Sequence, residues 1–185
     1  MQDHPLIDLY VNTGDNDLNA KLEQQLETLD LDGTVQRTLA VAGIQQRVML
    51  TLMITDDEDI KEMNQQYRNI NKPTDVLSFP LLDKPLVEAP PELLWQKPEE
   101  ETAAEETPPF VTPESEVTNL GDIVISWPTI ERQAAAAGHS VYYELLYLLA
   151  HGVLHLVGYD DQTEAGYQKM IQLQQQVMEH VGKQV

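Results

Sequence analysis

Residues 140–161 read SVYYELLYLLAHGVLHLVGYDD, and the fold turns on them. Ser140 is a natural helix cap, and Val141–Val157 is apolar on nearly every face. A helix apolar all round belongs at the centre of a domain. Gly158 can take the left-handed turn that ends such a helix and folds the chain back. His151 and His155 are four apart, so they share one helix face, one turn from each other. Two imidazoles so placed can hold one metal ion. The return after Gly158 can bring residue 161 to the same point, giving the spacing H-x3-H-x2-G-x2-D. Asp161 also heads Asp161-Gln-Thr-Glu164, the spacing of a capping box. The residues thus leave it either as a third ligand or as the cap of the next helix, with Asp160 a lesser candidate for both. The histidines have their own bland reading, as satisfied core imidazoles. Two of them on a helix this apolar need partners, which favours the metal. Glu144 lies two turns before His151 on the same face. It can accept a hydrogen bond behind a metal-bound imidazole, or simply be exposed or salt-bridged.

Outward from this helix the periodicity alternates between 2 and 3.6. Leu6–Val11 and Val48–Ile54 read as strands, as do Val76–Leu81 and Leu120–Ser126. Asp17–Ile44 reads as helix broken near Asp32-Gly33. Thr55-Asp56-Asp57-Glu58 opens a helix to about Tyr67, and Ser126 with Pro128 opens another that stops at Gly138. A last amphipathic helix covers about Thr163–Val181. The expected fold is α+β, a single domain in which five or six helices surround a central, mostly four-stranded sheet.

The length, 185 residues, suits one domain, and an apolar content of 42% is enough to bury a core. The stretch 83–118 stands apart. It carries ten acids against Lys84 and Lys97, and seven of the chain's 11 prolines. Proline at that density forbids a long helix or a central strand. The stretch therefore reads as a long, mostly solvated acidic insertion, with Leu93, Leu94 and Trp95 able to dock locally. The chain has no Cys, which excludes disulfides, thiolate metal sites and a Cys nucleophile. Its net charge of −20 argues against broad, backbone-driven nucleic-acid binding, though not against a small local site. Neither a membrane span nor a secretory leader is legible, so a cytoplasmic protein is expected.

A second stretch, Tyr67–Pro80, reads YRNINKPTDVLSFP. Arg68 ends a helix there. Its fork of fixed donors suits a phosphate or a developing oxyanion, but by spacing alone it reads as a surface Arg beside helix carbonyls. Thr74-Asp75 reads as turn chemistry leading into a strand. Taken together, YRNINKPTDVLSFP, LGDIVIS and HGVLHLVGYD resemble the YbeY family of metal-dependent endoribonucleases of ribosomal RNA maturation. The motifs lie in order and span about residues 48–165. The resemblance implies a zinc-like ion held by three His. His151 and His155 match the first two, whereas the third falls at 161, where this chain has Asp. It also implies a functional role for Arg68.

The expected activity is metal-dependent cleavage of single-stranded RNA, with one divalent ion, most plausibly zinc. His151, His155 and Asp161 are the expected ligands, and Arg68 the catalytic residue. Ribosomal RNA and the ribosome, or a protein bound to it, are the partners implied, with no membrane or DNA. A metzincin-like metallopeptidase shares the order of two helical ligands, a glycine elbow and a third ligand. It would need a glutamate at 152, where this chain has Gly. A metal-stabilised, non-catalytic ribosome adaptor is the other alternative. No aromatic pattern for base stacking is visible along the sequence.

Overall fold

The structure, a computed structural model, describes residues 6–97, 117–179 and 181–182. The elements run β1 (Leu6–Val11), α1 (Asn16–Leu26), α2 (Leu31–Val41), β2 (Val48–Thr55) and α3 (Asp57–Arg68). They continue with β3 (Val76–Pro80), β4 (Thr118–Ser126), α4 (Trp127–Ala137), α5 (Val141–Val157) and α6 (Glu164–Met178). The strands form one mixed sheet in the order β1-β2-β4-β3. β2 runs parallel to both β1 and β4, and β3 is antiparallel to β4. The architecture is the expected α+β domain. No single helix among the described residues is long and apolar enough to cross a membrane.

Alternation along the strands sorts side chains to the two faces of the sheet. Leu50, Leu52 and Ile54 of β2 join Ile123 and Ile125 of β4 in the main core. α5 lies on that face, touching β3 and β4 and flanked by α2, α4 and α6. Its Leu145, Leu149, Val153 and Leu154 are fully buried. At Gly152 the helix comes so close to β4 that an added Cβ would stand 2.8 Å from Ile123 Cδ1. α3 covers part of the opposite face, where Ile60 buries Leu77 and Val124.

Three details differ from the sequence reading. The break between the first two helices falls at residues 27–30, not at Asp32-Gly33. Asp30 caps α2 by accepting from the Gly33 amide at 3.0 Å, so Gly33 lies in the first turn of a helix. α3 is capped by Asp56 through the Asp59 amide, and Thr55 instead hydrogen-bonds the Asp59 carboxylate.

The third difference matters most. Of the acidic stretch, residues 98–116 lie outside the described residues, but residues 85–95 are not a solvated loop. They form a strap across the buried C-terminus of α5. The Leu86 and Val87 amides both donate to Val157 O, at 2.8 and 3.2 Å, and the Trp95 amide donates to Gly158 O at 3.0 Å. The Trp95 indole donates to His155 O at 2.6 Å. In return the Asp160 amide donates to Leu93 O at 2.9 Å. The last carbonyls of a helix have no partner within it, and burial makes that costly. The strap supplies the partners, and Val87 and Trp95 are buried with it. Gly158 is required twice over: its φ is +137°, and a Cβ there would stand 2.5 Å from Pro85 Cβ.

Trp95→Ala removes a buried ring and a donor to His155 O. It is expected to lower the unfolding free energy by about 3–5 kcal/mol, measured by urea denaturation. A loss below about 0.5 kcal/mol, typical of an exposed position, would show that the strap is not part of the folded domain.

Candidate active site

Capping of α5 by Ser140, which accepts from the Tyr143 amide at 3.0 Å, sets the start of the helix. Its last two turns then carry His151 and His155 onto the wall of a cavity of about 560 Å³ beside β3. The same cavity is lined by Arg68, Asp160 and Asp161. Five residues named from the sequence, across nearly a hundred positions, therefore share one space.

The tautomer of His151 follows from its partner. Gln174 of α6 is buried, its Nε2 donating to Tyr147 O at 3.3 Å, which leaves its Oε1 to accept. That oxygen lies 3.3 Å from His151 Nδ1, so Nδ1 carries the hydrogen. In the neutral ring the lone pair is then on Nε2, which faces Asp161 Oδ2 at 3.7 Å. Burial, followed by the neighbouring His151, holds the His155 pKa below the ordinary histidine value, against an opposite pull from Asp160, Asp161 and the Tyr159 backbone. A neutral imidazole is the form that binds a metal or takes up a proton. The donors are thus chemically suited to a divalent ion. Among the described residues, no three His, Asp or Glu side chains stand close enough to make a ready-formed metal cage.

Asp161 does not cap α6. Thr163 does, accepting from the Gly166 amide at 3.0 Å, while its own hydroxyl donates to Glu92 O in the strap at 2.8 Å. The Asp161 carboxylate is left on the loop, 43% exposed. Arg68 does not serve the end of its helix either. Asn69 turns left-handed at φ +59°, and the Asn69 and Ile70 amides return to Gln65 O and Asn64 O. The guanidinium has no hydrogen bond or ion pair among the described residues, and it lies beside the cavity of the histidines. Asp75 takes the turn role read for it: Oδ1 accepts from the Val76 amide at 2.7 Å.

Glu144 has partners other than His151. Its Oε2 lies 2.5 Å from His139 Nε2, and the Gln133 amide, placed to donate, reaches Glu144 Oε1 at 3.1 Å and Asp75 Oδ2 at 3.2 Å. The acceptor behind His151 is Gln174, which the sequence reading missed. The signal was a glutamine set among Met170, Leu173 and Val177 on the buried face of an amphipathic helix. Position 152, where a metzincin-like peptidase places its glutamate, points into Ile123. A side chain there would enter the core, not the cavity.

A family model described as "Endoribonuclease YbeY" matches residues 13–182. An "Endoribonuclease YbeY" of Dehalococcoides mccartyi is 45% identical over 132 residues, 71% of this chain and 73% of that protein. One of Desulforamulus reducens is 38% identical over 168 residues, 90% and 95% of the two chains. One of Moorella thermoacetica is 38% identical over 160 residues, 86% and 88%.

The division of labour between the two loop residues is measurable. Thr163→Ala is expected to cost about 1 kcal/mol, the usual loss on removing a cap. Asp161→Ala should stay within about 0.5 kcal/mol of the parent. Metal-free protein in urea is the measurement, and the reverse order would return the capping role to Asp161.

Proposed function

Because the chain belongs to the endoribonuclease YbeY family, we propose that the cavity beside α5 is where it cuts single-stranded RNA, with ribosomal RNA or its precursor as substrate. The observation that carries this reading is Arg68: a guanidinium without a partner among the described residues, beside two histidines and a carboxylate in one cavity. A phosphodiester is the group that such a fork and such a donor set take together.

His151, His155 and Asp161 would hold one divalent ion, most plausibly zinc. When bound, that ion supplies Lewis acidity and makes water acidic enough to react near neutral pH. The remaining work falls to the chain. Gln174 keeps His151 Nε2 turned to the cavity. Burial keeps His155 neutral, and the indole of Trp95 pins the backbone at His155. Arg68 binds the phosphate and offsets the charge that grows on its oxygens in the transition state. Asp161 in place of the family's third His lowers the charge of the donor set by one and shifts its preference toward metals that accept oxygen.

With a net charge of −20, the protein gains little from long-range attraction to RNA. Delivery by the ribosome, or by a protein bound to it, in the cytoplasm fits this balance. A metallopeptidase reading lacks its general base at 152. An adaptor reading leaves Arg68, which has no partner among the described residues, without a task.

Metal analysis by mass spectrometry, alongside cleavage of a fluorescent single-stranded RNA, tests the proposal. His151→Ala and His155→Ala should each lose both metal and cutting. Arg68→Ala should keep its metal and cut about 10²–10³-fold more slowly. Metal retained in both His variants would overturn the ligand set, and parent-like cutting by Arg68→Ala would favour the adaptor.

A further inference from the structure

The sheet carries a second cavity on the face away from α5. Register places Tyr10 beside Met53 and Met53 beside Val124 in one row, with Asp8, Thr51, Asp122 and Phe79 in the next, Asp8 at the edge and outside the cavity lining. Paired residues point to the same side. α3 covers Val124 from above but leaves Tyr10 56% exposed at the far edge. Between the rows and α3 lies a space of about 580 Å³, closed on the helix side by Met63, Gln66 and Tyr67.

This space adjoins the cavity of the histidines. Tyr67 and Phe79 line both, their rings edge to face with centroids 5.0 Å apart. Tyr67 is 63% exposed and immediately precedes Arg68. Among the described residues the lining offers three aromatic rings and two methionines, and its one charged residue is Asp122. With no cation and one carboxylate, the space disfavours a phosphate. It suits a flat, neutral group that bears amino hydrogens.

We propose that this cavity is a base-stacking subsite for the RNA strand whose phosphate Arg68 holds. The inference rests on the function proposed above. The backbone passes Arg68, and a base next to the cut lies against Tyr67 and Phe79. The next base reaches Tyr10. Asp122 accepts from an exocyclic amino group, as carboxylates do from cytosine N4, and Thr51 and Gln66 serve the remaining edges. Stacking of this kind tolerates many sequences because every base has a π face. The sequence hides it because the three rings come from β1, α3 and β3, far apart in the chain.

The test uses a fluorescein-labelled single-stranded RNA, with anisotropy read before cutting proceeds and cutting followed in parallel. Tyr10→Ala should weaken binding roughly 5- to 100-fold, whereas Tyr10→Phe, which keeps the ring, should bind like the parent. Replacing the bases near the cut one at a time by abasic sites should reveal a position that weakens the parent but not Tyr10→Ala. Unchanged affinity in Tyr10→Ala, with the parent cutting normally, would overturn the subsite and assign the face to something other than RNA. Equal loss in the Ala and Phe variants would overturn stacking in favour of the hydroxyl. A parent that neither binds nor cuts single-stranded RNA would overturn the proposed function and the subsite with it.

Discussion

A buried helix end must find partners for its last carbonyls, and in this protein that requirement shapes the whole site. α5 is too apolar to end in water, so its C-terminus cannot leave those oxygens to solvent. The strap of residues 85–95 answers with the amides of Leu86, Val87 and Trp95 and with the Trp95 indole. Gly158 then turns the chain at a conformation rare for other residues, in a gap that Pro85 leaves too narrow for a side chain. The direction of the return to Asp160 and Asp161 follows from these bonds.

Once the end of α5 is fixed, the catalytic geometry needs little more. Two histidines one turn apart share a wall, Gln174 sets the tautomer of one, and burial keeps the other neutral. Arg68 lines the same cavity, and the end of α3 is satisfied by backbone bonds at the left-handed Asn69. A cation released from helix capping, beside donors suited to a divalent ion, is what phosphodiester cleavage asks for. In the proposed site the histidines and Arg68 thus sit near helix ends, while Asp161, on a loop, remains partly exposed.

Much of this was legible in the sequence. The four strands and the central helix were readable because Val141–Val157 is apolar on nearly every face and Val48–Ile54 is a β-branched and Leu/Met run. His151, His155, Asp161 and Arg68 were readable from spacing and resemblance, and they do meet in one cavity. What escaped was non-local. The acid and proline content of residues 83–118 left only Leu93, Leu94 and Trp95 legible as docking residues and masked Leu86 and Val87, because composition averages over a whole segment. The role of Asp161 at the helix start was ambiguous by two residues, since Thr163 has the same capping ability. Glu144 shares a helix face with His151, yet His139 and Gln133 from the preceding turn and helix reach it first. Gln174 acts across two helices, and the aromatic face joins three elements, so neither leaves a local pattern.

Native-state hydrogen exchange at the Trp95 indole N–H tests most directly whether the strap holds the site together. If it does, that proton should exchange only when the whole domain unfolds, in step with the core amides of α5. Exchange at the rate of an open loop, while the α5 amides stay protected, would mean that the strap detaches from the folded domain. The position of the two histidines would then need another cause.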